Sequence, residues 1–354
     1  MSKLAVVVFN LGGPDRPESV KPFLFNLFND PAIIGAALPI RWLLAKWISA
    51  RRAPVARKIY QHLGGKSPLL ELTNDQARAL EGRLGGGDDQ VKVFIAMRYW
   101  HPLTEQTVAA VKDFVPDQIV LLPLYPQFST TTTGSSIAAW HRIAGRLKLQ
   151  ADTRAVCCYP CEPGWVAAQA SLIAASMGGL KNLRLLFSAH GLPKKVIAAG
   201  DPYQWQVEQT AAAVVDRLKT DEKIQSEWQW TVCYQSRVGP LEWIGPPIED
   251  ELKRAAADGI AVVVVPIAFV SEHSETLVEL DIEYKAEAEK LGVPEYRRTP
   301  AVGIHPAFID GLAATVRRAL DDDRRIAGGC ENGDRLCPAA LGQCPMKTNA
   351  EDAR

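Results

Sequence analysis

The amino-acid sequence predicts an α/β protein of two Rossmann-like halves, each a parallel sheet flanked by helices. Two observations predict it. Runs rich in valine, isoleucine and leucine alternate with helix-like segments, the pattern of parallel strands covered on both faces; the clearest are residues 4–10, 91–97, 118–124, 183–188, 228–234 and 260–268. The chain also repeats itself: Leu4 to Pro14 (LAVVVFNLGGP) has a counterpart in Leu183 to Pro193 (LRLLFSAHGLP), and Ile119 to Tyr125 (IVLLPLY) in Val262 to Ala268 (VVVVPIA). A length of 354 residues suits two such halves. The first is expected over 1–165 and the second over 166–305, with an active cleft between them. A C-terminal helix is expected over 306–323 and a cysteine-bearing tail over 324–354. Open α/β sheets bind ligands beyond the carboxyl ends of their strands, so the segments after these runs are where chemistry is sought.

Charge excludes one class of partner. Forty basic and forty acidic residues cancel, so no global field recruits nucleic acid. Met1-Ser2-Lys3 leads directly into Leu4 to Phe9 without the parts of a secretory signal, which predicts a cytoplasmic protein. The apolar stretch 32–49 is broken by Pro39, Arg41 and Lys46 and is not expected to span a bilayer. Trp42, Leu43, Trp47 and Ile48 can share one apolar face beside those cations. Such a face suits a helix resting on a bilayer surface, here the inner face of the membrane, and equally suits a core helix.

Two constellations carry chemistry. His190 stands at a strand's end before Gly191-Leu192-Pro193, where a turn exposes the ring; most lone histidines are structural, but the matching strand end in the first half has none. After the strand ending at Ala268, carboxylates recur at Glu272, Glu275, Glu279 and Glu283, spaced by three and four along one helix face. Such a row is usually a solvated surface. Its place at a strand's carboxyl end, with His273 and His190 at one end, instead suits a divalent metal held by nitrogen and oxygen, such as ferrous iron. The hydroxyl-rich loop Pro126 to Ser136 holds the equivalent place in the first half and lacks any nucleotide-binding glycine pattern. Arg51, Arg52, Tyr60 and Ser67 are donors suited to carboxylates, arginine above all.

Together these motifs resemble the ferrochelatase family, whose members insert iron into porphyrin, up to about residue 320. Leu185 to Pro193 with Gly200-Asp201-Pro202-Tyr203 is similar to the family's histidine motif, and Pro266 to Tyr284 to its glutamate motif. Asn10 to Pro14, Met97-Arg98-Tyr99, Tyr125 to Ser129 and Gln235 to Trp243 agree as well. The resemblance implies a chelatase-like fold and a lyase that inserts Fe2+ into protoporphyrin IX in the last step of haem synthesis. His190 and Glu275 then fall on the metal positions, with His273, Glu279 and Glu283 along the iron path. Arg98, Tyr99 and Trp243 line the porphyrin, Arg51, Arg52, Tyr60 and Ser67 hold or close over its propionates, and residues 32–49 form a lip that faces the membrane. A coproporphyrin ferrochelatase or a cobalt-inserting chelatase shares these residues. A non-catalytic haem or metal carrier needs no proton acceptor, so His190 with Glu275 favours an enzyme, either monomer or homodimer.

The resemblance also bears on the cysteines. Cys330, Cys337 and Cys344 recur at intervals of seven in the tail, and some ferrochelatases carry a [2Fe–2S] cluster on such a tail. The spacing is wider than in the animal members, and Thr130 stands where those members place a cysteine, so the fourth ligand must lie elsewhere. A cluster needs four ligands. Cys157, Cys158 and Cys161 can supply the last, and Cys158 is the expected choice. Cys233, mid-strand, is expected to be a buried thiol.

Overall fold

In a computed structural model the described residues are 2–86, 90–222, 224, 226–237, 239, 241–330 and 334–346. The chain divides into two compact units, Met1–Cys158 with Ala313–Ala327, and Tyr159–Leu312 with Gly328–Arg354. The tail positions 331–333 and 347–354, and Val238 and Pro240 of the Gln235 to Trp243 motif, lie outside the described residues.

The first unit is built on a parallel sheet of β1 (Lys3–Asn10), β2 (Gln90–Met97), β3 (Gln118–Pro123), β4 (Asp152–Val156) and β9 (Ile326–Ala327), ordered β2-β1-β3-β4-β9. The second holds β5 (Asn182–His190), β6 (Glu227–Gln235), β7 (Ala261–Pro266) and β8 (Tyr296–Arg298), ordered β6-β5-β7-β8 and likewise parallel. Thus the repeat seen in sequence is a repeat of topology. Helices cover both faces of each central strand, which is why Val6 to Phe9 and Val262 to Val265 are almost completely buried and read as continuous apolar runs. All six expected strands form. The edge strands β8 and β9, Tyr-Arg-Arg and Ile-Ala, are too short to show as apolar runs; Tyr296 and Ile326 pack them onto the cores of their sheets.

In the first unit, helix Leu38–Gln61 does not bury its apolar side as a core helix would. Trp42, Leu43 and Trp47 are exposed, Trp47 by 61%, and Lys46 and Arg51 stack on the rings of Trp42 and Trp47. No helix among the described residues is long and apolar enough to cross a membrane.

In the second unit, helix Pro163–Met177 starts against the first turns of helix Pro306–Asp321. Their backbones nearly touch. A Cβ built on Gly164 would lie 2.2 Å from the Ala307 carbonyl oxygen, and one on Gly311 would lie 2.1 Å from Glu162 Oε2. Glu162 is buried and accepts from the Trp165 backbone N–H at 2.7 Å, capping the helix. The described tail residues beyond Gly328 are tied down by hydrogen bonds. The Arg335 guanidinium donates to the carbonyls of Cys337, Pro338, Leu341 and Met346, and Gln343 N–H reaches the Gly200 carbonyl at 3.1 Å.

Candidate active site

The strand order of the second sheet reverses between β5 and β7, and such a switch point opens a crevice at the strands' carboxyl ends. His190 ends β5, and Glu275 opens the helix that follows β7. Their side chains meet, His190 Nδ1 lying 2.9 Å from Glu275 Oε2. Both remain reachable, with side chains 38% and 30% exposed.

The helix carrying the carboxylates is a π-helix, Glu275–Tyr284. Its wide turns, closed by i→i+5 hydrogen bonds, are frequent at functional sites. The predicted four-carboxylate face is therefore corrected. Glu272 lies before the helix and is bound by Arg298 Nη1 and the Ala301 N–H, both at 2.9 Å, while Glu283 is exposed near the far end. Only Glu275 and Glu279 turn toward His190 and the end of β6. Glu279 accepts from Ser236 N–H at 2.8 Å, from the Ser236 hydroxyl, and from Gln235 Nε2 at 3.2 Å. Gln235 also donates to the Glu275 carbonyl at 3.1 Å and accepts from Ser188 at 2.7 Å. Ser236 holds a left-handed backbone, φ 63°, that aims its N–H at the carboxylate.

These neighbours set the charges. Burial works against a charged His190, but the Glu275 carboxylate, its hydrogen bond and the charge of Glu279 outweigh burial and raise the imidazole's pKa. Burial favours neutral Glu275, yet His190 holds it well below the usual carboxylate range. Glu279 is pushed up to about 7, first by burial and then by the charge of Glu275. Two carboxylates side by side thus sit in opposite states of readiness, one ionised and one near its titration point. His273 is lowered by burial; its Nδ1 accepts from the Glu275 N–H at 3.2 Å, and its ring packs on Phe269 with centroids 4.7 Å apart. It closes the start of the π-helix.

Trp243 pairs antiparallel with Pro193 and packs on Gly191, where a Cβ would come within 3.3 Å of its ring. It thereby flanks the turn after His190. In the first unit, Arg98 pairs with Asp30 at 2.7 Å and donates to Ser135 at 2.8 Å. Tyr99 is buried beneath the Arg98 guanidinium, 5.2 Å from ring centroid to cation, and gives its hydroxyl to Asp30 at 2.9 Å. Tyr60 and Ser67 are also buried, Ser67 so close to Gly13 that a Cβ there would lie at 2.5 Å, whereas Arg51 and Arg52 are exposed.

Among the thiols, the structure brings Cys161 to the tail. The Cys330 thiol hydrogen-bonds with Cys161, and that bond, followed by burial, raises its pKa well above the ordinary range. Cys337 accepts from Gln206 Nε2 at 3.0 Å, Cys344 is buried, and Cys158 is buried in the first unit. Cys233 is buried as expected, and burial raises its thiol's pKa. Among the described residues no three or more His, Cys, Asp or Glu side chains are drawn together as a formed metal centre.

Gln235, Ser236 and Arg298, to which the sequence assigned no role, hydrogen-bond the π-helix and its carboxylates. Gln235 and Ser236 follow directly from β6, so the strand-end rule applied to every strand points to them.

Against known proteins, residues 3–320 match the family Ferrochelatase. A ferrochelatase of Caulobacter vibrioides is 54% identical, the alignment covering 98% of this chain and 99% of that one. One of Hyphomonas neptunium is 50% identical over 97% and 95%. Among solved structures, SirB from Bacillus subtilis with Fe3+ shares the fold at a TM-score of 0.52 and 13% identity, over 90% of this chain and 96% of that one. With a family match over nine-tenths of its length and full-length relatives at half identity, the chain belongs to the ferrochelatase family.

Proposed function

We infer that this enzyme inserts ferrous iron into protoporphyrin IX, with His190 and Glu275 at the point of insertion. The observation that carries this reading is the His190–Glu275 pair at the second sheet's switch point, with the Glu279 carboxylate held beside it by Ser236 and Gln235. Insertion requires that two pyrrole N–H protons leave while a divalent ion enters. An imidazole of raised basicity accepts such a proton. Ionised Glu275 attracts the ion, and Glu279 passes protons outward because it gains and loses them near neutral pH. His273 and Glu283 continue the carboxylate-lined route. Arg51, Arg52, Tyr60 and Ser67 are proposed to hold the propionates, Arg98 and Trp243 to contact the macrocycle, and Tyr99 to fix Arg98 in place. Purified chain supplied with ferrous iron and protoporphyrin IX is expected to form haem faster than with coproporphyrin; the reverse order would reassign the porphyrin.

The exposed apolar face of helix Leu38–Gln61 supports a seat on a membrane surface through residues 32–49. Sedimentation with anionic phospholipid vesicles is expected to carry the protein down. Trp47→Glu together with Leu43→Glu is expected to leave it in the supernatant; equal pelleting of both proteins would remove the proposal.

We also propose that the tail holds a [2Fe–2S] cluster, and that the fourth thiol is Cys161 in place of Cys158. The donor set suits the group: Cys161 and Cys330 are already in contact, Cys337 and Cys344 lie buried in the same unit, and Gln206 donates to one sulfur. Bound there, a cluster would tie the tail to the loop after β4. Cys161→Ser is expected to remove visible absorption and the iron and sulfide from purified protein, and Cys158→Ser to retain them. The opposite result would restore Cys158, and absorption absent from the wild type would end the cluster proposal.

A further inference from the structure

We propose that Arg298, with Tyr296, positions the π-helix for metal insertion. From β8 it fixes the register that turns Glu275 and Glu279 toward His190, and it withdraws Glu272 and Asp281 from the carboxylates open to ferrous iron. The proposal rests on the reading of Glu275 and Glu279 as iron-handling groups.

Arg298 grips two points of one segment. Its Nε and Nη2 donate to the two oxygens of Asp281 at 2.6 and 2.7 Å, and its Nη1 donates to Glu272 at 2.9 Å. The side chain is only 9% exposed, and a two-pronged guanidinium–carboxylate contact fixes direction as well as distance. Two residues along β8, the Tyr296 hydroxyl donates to the Leu280 carbonyl at 2.7 Å. Strand β8 therefore holds Glu272, three residues before the π-helix, and two consecutive residues within it, Leu280 and Asp281.

The consequence lies in how a helix aims its side chains. Residues two apart do not share a face, so Asp281 can be held by β8 while Glu279 turns to Ser236 and Gln235. Were the segment to tighten to ordinary i→i+4 winding, the angle between Glu275 and Glu279 would change, and the fixed donors of β6 and the His190 ring would no longer match both. A bridge from Glu272 to Asp281 resists that rewinding, because it sets the span between points on either side of Glu275 and Glu279. Arg298 also sorts charge. Of the five carboxylates in this segment, Glu272, Glu275, Glu279, Asp281 and Glu283, Arg298 occupies two with its hydrogen bonds. The remaining three are the iron path.

Steady-state kinetics of the full chain test this. Partners that orient metal-handling groups commonly change metal affinity by 10–100-fold when lost, so Arg298→Met is expected to raise the KM for ferrous iron about tenfold with the porphyrin KM unmoved. Arg298→Lys, which keeps the charge but not the two-pronged grip, is expected to recover part of that loss. If Arg298→Met does not fold by far-ultraviolet circular dichroism, Tyr296→Phe, which removes one hydrogen bond, is expected to raise the iron KM by a smaller factor. An unchanged iron KM in the folded variant, or equal rises in both KM values, would overturn the proposal. Glu275→Gln separates the two failures: an active Glu275→Gln enzyme removes the site reading, whereas an inactive one beside an unaffected Arg298 variant removes the clamp alone.

Discussion

Replacing His190 with alanine is expected to lower kcat for haem formation by at least about a hundredfold, the low end of the contribution of a positioned acid or base. Porphyrin binding, followed by fluorescence titration, should persist within a few-fold. The imidazole supplies the nitrogen facing Glu275 at 2.9 Å, and its removal deletes a proton acceptor while leaving Trp243 packed on Gly191. Glu275→Gln should behave alike, since the amide keeps the shape but loses the charge that raises His190. Turnover near the wild-type rate in His190→Ala would end the assignment.

The largest expected effect on stability belongs to Gly164→Ala. A methyl group at this position would sit 2.2 Å from the Ala307 carbonyl oxygen and 3.0 Å from the Gly311 backbone. Backbone cannot turn aside as a long side chain can, so helices Pro163–Met177 and Pro306–Asp321 must separate. That would strip packing from buried Trp165 and Phe308, whose ring centroids lie 5.6 Å apart. A cost above about 4 kcal/mol is expected, which few single substitutions reach. Urea unfolding of the variant, or its failure to accumulate as folded protein, reads the effect. A midpoint close to that of the wild type would show that the helices part easily. Gly82→Ala, whose Cβ would meet nothing within 4 Å, is the matching control.

How much could be read from sequence follows from which forces shape each part. The central strands were legible because burial on both faces demands unbroken apolar residues, as at Val262 to Val265. His190 and Glu275 were legible as strand-end residues of the right chemistry. The winding of the π-helix was not, because spacings of three and four read equally as an α-helix, and that reading placed Glu272 on the wrong face. Its true partner, Arg298, comes from a three-residue edge strand that no apolar pattern announces. Ser236 escaped notice because the left-handed backbone that aims both its N–H and its hydroxyl at Glu279 is a property of conformation that residue type does not announce. The contact of Cys161 with Cys330 was not legible either, because it depends on the turn after Pro160 and not on strand alternation.

The common strand order of the two sheets, β2-β1-β3-β4 and β6-β5-β7-β8, means that one backbone plan is used twice with different side chains at its working end. Each sheet has a switch-point crevice, and in each half a π-helical turn follows the third strand: Thr130–Gly134 in one, Glu275–Tyr284 in the other. Leu11 stands where the second half has His190, and the first π-helical turn opens on Thr130 where the second opens on Glu275. Burial of the central strands fixes the backbone in both halves, whereas the residues just beyond the strand ends are free to differ and decide which half can hold a metal.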